Sequence, residues 1–461
     1  MAGPGRNVIV IVTDSLRADH VGCYGSQVQT PNLDRLAAES ALFEQAYSEN
    51  LPTLPCRTAW WTGKHLFPHR GWQHFEPTDY LLAEVLWDRG LTSALITDVY
   101  HMHKPVYNCG RGFDTTVFVR GQEYDPWIVD PDVRVDLSGC RLRGDASDEQ
   151  WRARYQQYLR NATTLVREED YCVARVVREA IRWLEDVTQR QRENLFLWVD
   201  CFDPHEPWDP PAPYRGMYDP DYDGAELIDP VPGPVQGYMT ERELQHTRAL
   251  YAGEVTFVDK WVGVLLDAIR ALGLFANSLI MHVSDHGEPF GEHGIVRKAQ
   301  PWGYEELAHI PWLIRHPEGL GAGQRYGAFV QPPDLMPTVL EFLGITGELT
   351  LPYLAPVKLT FPQDIAVSSR EVRLTGRSLL PLLRGEVEQL RDCAVTGHHN
   401  AEWVLRTDEW SYSLPLQPGR PRQLYHRPSD TAEQVNVLDV HSEVGDVLEL
   451  KLRRFAEEVS A

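Results

Sequence analysis

The sequence predicts an α/β fold: a large, mostly parallel central sheet flanked by helices on both faces. Three observations support this class. Short apolar runs alternate with longer helix-like segments, which is typical of parallel sheets covered by helices. The 461 residues suffice for one large core and a smaller appended domain. Apolar residues make up 43% and charged residues 24%, ordinary values for a globular protein.

Four apolar runs of strand length end in aspartate. They span residues 7–14, 92–98, 194–200 and 277–285, and each is typical of a buried strand. In an open α/β sheet the ligand crevice lies beyond the carboxyl ends of the strands. The four acids are therefore placed for a functional site.

The segments between these strands carry helical patterns. Residues 30–40 place Pro31 at a helix start and repeat apolar residues with a helical period. Further helices are predicted over residues 168–188, 240–272 and 334–345.

Beyond the loop-rich stretch 346–375 the pattern changes to the short strands "CAVTGHH", "EWVLRTD" and "WSYSLPL". They predict a small antiparallel sheet, followed by a helix over 441–457. The predicted domains are a large domain, 1–369, and a small C-terminal α+β subdomain, 370–461.

Charge and cysteine usage restrict the partners and the location. The net charge of -22 argues against a nucleic-acid backbone or an anionic membrane as the main partner. The N-terminus shows no signal-peptide pattern, and no run approaches the length of a membrane span. The 7 cysteines are scattered without a CxxC pair, as expected for reduced thiols. These features predict a cytoplasmic protein.

The strongest local signal is "VSDHGEPFGEHG", residues 283–294. Asp285 and His286 directly follow a predicted strand. A carboxylate beside an imidazole suits Mn, Zn or Fe, whereas oxygen-rich surroundings favour Ca or Mg. Asp14, at the end of the first strand, is a second candidate ligand. Each signal has an ordinary alternative: hydrogen-bonded loop residues for the Asp-His pair, and a helix N-cap for Asp14.

The order and wording of several motifs resemble the sulfatase branch of the alkaline phosphatase superfamily. The resemblance runs from residue 8 to about 386 and rests on "DSLRADHVGCYG", "TPNLDRLAAES", "LPTLPCRTAWWTG", "DPHEPWDPP", "SDHGEPFGEHGIVRK", "YEELAHIPWLIRHP", "DLMPTVLEFLGI" and "GRSLLPLLRG". It implies an alkaline phosphatase-like sandwich, a hydrolase acting on ester bonds, and a tail equivalent to the family's small C-terminal domain.

The family's nucleophile motif is Cys-x-Pro-x-Arg, in which the Cys is oxidised to formylglycine. Aligned on Pro55 and Arg57, this chain has Thr53 at the nucleophile position. Cys56 directly precedes Arg57 and lacks the downstream Pro and Arg that conversion requires. The resemblance therefore implies a threonine nucleophile without formylglycine, and Cys56 as a packed bystander. The alternative for Thr53 is a helix N-cap.

The replacement of formylglycine by threonine affects which class of ester the enzyme can turn over. A hydrated formylglycine expels sulfate by collapsing to the aldehyde, an exit that a threonine sulfate ester lacks. Phosphothreonine differs, because water can attack phosphorus in line while a metal stabilises the charge. The resemblance thus implies a metal-dependent hydrolase of phosphodiesters or phosphonate monoesters, acting on a small anionic ester through a phosphothreonine intermediate.

The resemblance also implies the ligands of one divalent metal, namely Asp14, the Thr53 hydroxyl, Asp285 and His286. Many sulfatases have a second Asp where this chain has Ser15. The lost oxygen ligand favours Mn, Zn or Mg, with Ca left open. A two-metal site is disfavoured by the spacing around 200–205, although His398 and His399 are available as later ligands.

By position, Arg57 orients the nucleophile and binds phosphoryl oxygens, Lys298 contacts the transferred group, and His205 protonates the leaving oxygen. His101 matches a family Lys-x-His element only in part. His103 and Lys104 remain alternatives to it, and a structural role for His101 stays open.

Three other functions stay open: a soluble phosphotransferase of the same branch, a sulfuric ester hydrolase working without formylglycine, and a non-catalytic relative that binds an anionic ligand. The resemblance also leaves a homo-oligomer open. Specificity is expected in the insertions 115–160 and 206–240, where four aromatic residues either line a pocket or pack: Trp127, Trp151, Trp208 and Tyr214.

Overall fold

The computed structural model describes residues 5–298, 303–345, 350–352, 369–371, 373–398 and 400–460. Its strands are β1 Asn7–Thr13, β2 Ala41–Ala46, β3 Thr92–Thr97, β4 Thr115–Phe118, β5 Leu195–Cys201, β6 Gly233–Pro234, β7 Ser278–Val283, β8 Ile295–Val296, β9 Trp312–Arg315, β10 Arg325–Val330, β11 Thr350–Pro352, β12 Ser369–Glu371, β13 Ala394–His398, β14 Glu402–Arg406, β15 Trp410–Pro415 and β16 Gln423–His426. Its α-helices are α1 Pro31–Ala38, α2 Thr53–Thr62, α3 Leu82–Asp88, α4 Tyr100–His103, α5 Asp148–Ala162, α6 Cys172–Thr188, α7 Glu241–Ala271, α8 Glu305–Ala308, α9 Leu335–Phe342, α10 Leu380–Leu383 and α11 Ser442–Ser460.

In the described chain the central sheet has 8 strands in the order β10-β2-β9-β7-β1-β5-β3-β4. From β7 to β4 neighbouring strands are parallel, and β9 is antiparallel to both of its neighbours. The predicted α/β class with a mostly parallel sheet is confirmed. The apolar-run pattern does not single out β2, β9 and β10, which extend the sheet on one side, or the edge strand β4 on the other. Because β4 begins at Thr115, the first residues of the predicted insertion 115–160 belong to the central sheet instead.

The four strands predicted from their terminal acids are neighbours in this sheet: β7, β1, β5 and β3. Val12 of β1 pairs with Val283 of β7 and with Asp200 of β5. Asp14 and Asp285 therefore each lie two residues after this Val12–Val283 pair, just beyond the ends of two adjacent parallel strands. The acids meet at one edge of the sheet because parallel strands end on the same side.

Both faces of the sheet are buried. Along β1, Val8, Val10 and Val12 pack into the core beneath α2, α3 and α9, whereas Ile9 and Ile11 pack against α6 and α7. The alternation follows from the two-residue period of a strand. Each such side chain contributes about 1.5–3 kcal/mol by burial. The helices predicted around residues 30–40, 168–188, 240–272 and 334–345 are present as α1, α6, α7 and α9.

The C-terminal part contains the antiparallel sheet β13-β14-β15-β16. Helix α11 packs Leu448 and Leu452 against Leu405 and Tyr412 of this sheet. Phe67 of the larger part lies in the same core, and the division at residue 370 stays a prediction. Among the described helices, none combines the length and the apolar character needed to cross a bilayer.

Candidate active site

Helix α2 begins at the acid-lined edge of the sheet. Its first residue is Thr53, and the N-cap position belongs to Pro52, so Thr53 is not the N-cap. Within the described residues the Thr53 hydroxyl forms no hydrogen bond, and the residue is only 3% exposed. Cys56 is completely buried in the core, where burial raises the pKa of its thiol well above its usual value. Among the described residues the Thr53 hydroxyl is thus unbonded at the start of the helix, whereas the Cys56 thiol is held in its neutral form inside the core.

Arg57 connects the start of α2 to three strand ends. Its guanidinium makes a bidentate pair with Asp200, at 2.9 and 2.5 Å. It also donates to Asp285 Oδ2 at 2.7 Å and to Asp14 Oδ2 at 3.1 Å. The remaining bond runs to the backbone carbonyl of Thr53 at 3.0 Å. All five N–H groups are therefore used. These contacts support the predicted orienting role and leave no N–H for a phosphoryl oxygen in this arrangement.

Asp14, Asp285 and His286 form a buried cluster whose candidate ligand atoms all lie within 4.8 Å of one another. His286 Nδ1 lies 2.8 Å from the Gly287 carbonyl and donates to it. Its Nε2 is buried without a hydrogen-bond partner. Burial lowers the pKa of His286 and keeps the ring in the neutral form that a metal ligand requires.

The charges of this cluster fit a divalent cation. Asp14, Asp200 and Asp285 are all completely buried and share the guanidinium of Arg57, so that they carry an excess of two negative charges over it when all three are ionised. Burial and the neighbouring Asp285 raise the pKa of Asp14 well above its usual value. Buried carboxylates of one sign are costly unless they are neutralised. Two oxygens and an unpartnered imidazole nitrogen thus fit a metal ion of the predicted kind.

Ser15, at the position where the resemblance implied a second Asp, orients both carboxylates. It adopts a left-handed backbone conformation, with φ 59°, at the end of β1. Its N–H donates to Asp285 Oδ1 at 3.0 Å, and its hydroxyl donates to Asp14 Oδ1 at 3.0 Å. Lys298 Nζ lies 3.3 Å from the same hydroxyl. Ser15 therefore links the cluster to the neighbouring lysine.

Lys298 is held between two buried glutamates. Its ammonium group donates to Glu206 at 2.8 Å and to Glu288 at 2.7 Å. Burial opposes the charge, but Glu206 and Glu288 raise the pKa of Lys298 above its usual value. Arg297 pairs with Glu206 from the other side and with Asp229 at 2.5 Å. Lys298 is therefore a fixed cation beside the cluster.

His205 is buried next to this network. Its Nδ1 lies 2.7 Å from the Glu206 carbonyl, and its ring stacks on Phe202 at 3.8 Å. Burial lowers the pKa of His205 well below its usual value, although Glu206 opposes this effect. The neutral ring donates from Nδ1 and accepts at Nε2. The predicted acid role therefore requires that the ring first take up a proton.

The structure distinguishes the three candidates around residue 101. The His101 ring lies 6.4 Å from the ring of Phe202, on which His205 stacks, and its Nε2 is 3.4 Å from Glu123. His103 instead stacks on Phe118 at the far edge strand. Lys104 lies over the Tyr100 ring, 4.5 Å from its centroid. Of the three, His101 is the residue nearest to the site.

The part of the chain that contains the strand-end acids, the start of α2 and Lys298 is matched by a family profile. The profile described as Sulfatase matches residues 6–345. The chain belongs to the sulfatase family. As a member, it is an ester-bond hydrolase.

Individual relatives of this sulfatase-family protein cover most of the chain. An arylsulfatase of Clostridium perfringens is 26% identical over 382 residues, 74% of this chain and 75% of the relative. The multifunctional alkaline phosphatase superfamily protein PehA of Trinickia caryophylli is 28% identical over 408 residues, 77% of this chain and 78% of the relative. The crystal structure of a phosphonate monoester hydrolase of Agrobacterium radiobacter superposes with a TM-score of 0.75 at 21% identity, covering 98% of this chain and 96% of that one. The last comparison shows the shared fold.

Three residues of this sulfatase-family site were not predicted from the sequence: Glu206, Glu288 and Arg297. Asp200 was predicted as one of the strand-end acids placed for a site, but not as the partner of Arg57, and the other three lie within the motifs that carry the family resemblance. The sequence evidence for these residues was their position next to residues that were predicted. Their pairing with Arg57 or Lys298 is a tertiary contact that no spacing encodes.

The four aromatic residues of the insertions separate into two groups. Trp208 and Tyr214 are buried in the core. Trp127 is 45% exposed, and Trp151 lines a cavity together with Arg297. Trp151 is therefore the member of this set that borders the site.

We expect Arg57→Met to lower the free energy of unfolding of this sulfatase-family protein by about 3 kcal/mol, because it leaves three buried carboxylates without their shared partner. Urea unfolding measures the change. Asp200→Asn in the same chain should recover part of the loss, since it removes one uncompensated charge. Arg406→Met is a matched control: Arg406 is equally buried and pairs with Glu433 and Glu305, so its loss should also destabilise, but Asp200→Asn should not recover that loss. An Arg57→Met variant as stable as the wild type would contradict the proposed charge balance.

Proposed function

We propose that this sulfatase-family enzyme hydrolyses phosphodiesters or phosphonate monoesters, with Thr53 as the nucleophile. One observation carries the proposal. Thr53 begins α2, and its carbonyl shares the Arg57 Nη1 group with Asp285 of the metal-type cluster, while its own hydroxyl stays unbonded within the described residues. Cys56 is enclosed in the core, where burial and the neighbouring Asp285 raise the pKa of its thiol and so disfavour a thiolate nucleophile.

In the first half-reaction the Thr53 oxygen bonds to phosphorus, and the bond from phosphorus to the leaving oxygen breaks. The hydroxyl loses one proton and the leaving oxygen gains one, so this half is proton-neutral. The positive end of α2 favours both an alkoxide and an anionic substrate at residue 53. Lys298, which stays protonated, offers a fixed positive charge to the transferred group.

In the second half-reaction water attacks phosphorus, the bond to Thr53 breaks, and the hydroxyl regains its proton. The neutral His205 ring, with Nδ1 held by the Glu206 carbonyl, presents Nε2 as a proton acceptor. Asp14, Asp285, His286 and the Thr53 hydroxyl would hold one divalent cation. When bound, such an ion would supply Lewis-acid stabilisation of the negative charge that develops during the transfer.

A threonine at position 53 favours phosphoryl transfer over sulfuryl transfer. A threonine ester of sulfate has no internal exit, because residue 53 lacks the second hydroxyl of a hydrated aldehyde. The phosphorus of phosphothreonine remains open to in-line attack by water. The named activity of the Agrobacterium radiobacter neighbour agrees with this choice.

We expect the protein, supplied with Mn²⁺, to hydrolyse bis(4-nitrophenyl) phosphate with a kcat/KM at least about 100-fold above that for 4-nitrophenyl sulfate. Release of nitrophenolate measures both reactions. Sulfate release without diester turnover would overturn the proposal in favour of a sulfatase that works without formylglycine. If added glycerol captured nearly all of the phosphoryl groups, the enzyme would be a transferase.

A further inference from the structure

We propose that Glu206 is a positioning residue, which directs one N–H group of Lys298 at the metal-type cluster. The inference rests on the proposed function, because that function assigns Lys298 to the transferred group. Glu206 follows His205 in the motif "DPHEPWDPP" and is only 1% exposed. Its carboxylate takes no part in either half-reaction, and its partners are two cations beside the cluster, Arg297 and Lys298.

The ammonium group of Lys298 has three N–H donors, and each of them has an acceptor. Glu206 accepts at 2.8 Å and Glu288 at 2.7 Å. The third acceptor, the Ser15 hydroxyl, is uncharged and lies at 3.3 Å. Hydrogen bonds to ionised groups are shorter and stronger than bonds between neutral groups. The bond to Ser15, which is the longest and runs to a hydroxyl, is therefore the weakest of the three.

This weak bond lies on the side of the metal-type cluster. The Ser15 hydroxyl donates to Asp14 Oδ1 at 3.0 Å, and the Ser15 N–H donates to Asp285 Oδ1 at 3.0 Å. The third N–H of Lys298 therefore points to the side on which both acids of the cluster lie. An oxygen of a group bound at the cluster can replace the Ser15 hydroxyl as its acceptor, while the two glutamate bonds stay intact and hold the ammonium group in place.

Glu206 is itself anchored from its other side. Its carboxylate pairs with Arg297, which in turn pairs with Asp229 at 2.5 Å. Burial opposes the ionised form of Glu206, but Arg297 lowers its pKa well below the usual value. Glu206 is therefore a charged and fixed acceptor for the ammonium group. Because Asp229 lies in the insertion 206–240, this segment contributes to the position of Lys298.

The main chain of Glu206 holds the neighbouring histidine. Its carbonyl lies 2.7 Å from His205 Nδ1, and a substitution of the side chain leaves this carbonyl in place. The Glu206 carboxylate is also 3.5 Å from His205 Nδ1. A loss of activity on removing the carboxylate could therefore act through the lysine or through the histidine, and the experiments below separate the two.

The first test is the steady-state kinetics of Glu206→Gln with bis(4-nitrophenyl) phosphate. We expect kcat to fall by about 10- to 100-fold while KM stays within about threefold of the wild type, because a displaced ammonium group no longer matches the transition state. If Glu206 only screened the lysine, its removal would leave more positive charge beside an anionic substrate. A rise in kcat/KM would therefore overturn the inference, as would an unchanged kcat.

Glu433→Gln is the matched control for these kinetics. Glu433 is 2% exposed and also pairs with a buried arginine, Arg406, away from the cluster. We expect its kcat to stay within about twofold of the wild type. A loss in Glu433→Gln as large as that in Glu206→Gln would overturn the inference in favour of a general effect of lost buried charge.

A double-mutant cycle with Lys298→Ala shows whether Glu206 acts through the lysine. We expect Glu206→Gln to cost less than about twofold in the Lys298→Ala background. The same loss in both backgrounds would overturn the inference and favour an effect through His205. Glu206→Asp keeps the charge at shorter reach, so it should lose part of kcat in the wild-type background only, and it serves where the Gln variant does not fold. The cycle uses whichever ester the wild type hydrolyses. Sulfate release would thus refute the proposed function and still test Glu206.

A second measurement follows the lysine without turnover. The side chain of Lys298 is 13% exposed; burial opposes its charge, but Glu206 raises its pKa. In Glu206→Gln, mass spectrometry after brief treatment with acetic anhydride should show at least about fivefold more acetylation of Lys298, since its amine is less protonated and less held. Lys260, which pairs with Glu168 at the surface, is the internal reference. Unchanged acetylation of Lys298 would overturn the inference, even if the wild type hydrolysed neither ester.

Discussion

Thr53→Ala should lower kcat/KM for a phosphodiester by at least about three orders of magnitude, the usual cost of removing a nucleophile. Its hydroxyl is the group at the start of α2 that forms the proposed covalent bond, and alanine offers no substitute. Thr53→Ser should retain a measurable part of the activity, since it keeps the oxygen on the same helix turn. Steady-state kinetics with bis(4-nitrophenyl) phosphate measures both variants, and mass spectrometry of quenched wild-type enzyme should detect phosphate on residue 53.

Cys56→Ala is the matched control for this experiment. Cys56 lies three residues further along α2 and is completely buried. We expect its activity per folded molecule to change by less than about threefold. An inactive Cys56 variant beside an active Thr53→Ala variant would reverse the assignment and point to thiol-derived chemistry.

Removal of divalent metal should abolish turnover, and addition of Mn²⁺ or Zn²⁺ to the metal-free protein should raise its melting temperature. The ion would relieve the excess negative charge of Asp14, Asp200 and Asp285 around Arg57. At an ion concentration 100 times Kd, binding to the folded state alone stabilises by about 2.7 kcal/mol. Differential scanning calorimetry across a metal titration measures this shift independently of activity.

His286→Ala should eliminate the metal-dependent shift, because it removes the buried Nε2 that has no partner. His293→Ala is its control on the same loop. His293 bonds Glu306 at 2.7 Å and the Glu433 carbonyl at 2.9 Å, away from the cluster, so the variant should keep the shift. A wild-type melting temperature that no divalent ion changes would refute the metal site.

Much of the architecture follows from local pattern. The four apolar runs ending in aspartate predicted the four central strands, because a strand buried on both faces needs continuous apolar residues and its carboxyl end opens on the ligand edge. The positions of Pro55 and Arg57 placed Thr53 at a helix start. Strands β2, β9 and β10 carry no comparable signal, and tertiary pairing determines them.

In the candidate site, too, some features follow from the sequence and others only from the tertiary structure. The sequence by itself determined the types of group and their strand or helix positions: Asp14, Thr53, Asp285 and His286 are local features of motifs. The tertiary structure alone decided that Asp200 shares Arg57 with these acids and that two glutamates enclose Lys298. The reason is physical: charge balance depends on distances between side chains far apart in the chain, and spacing along one segment carries no information about them.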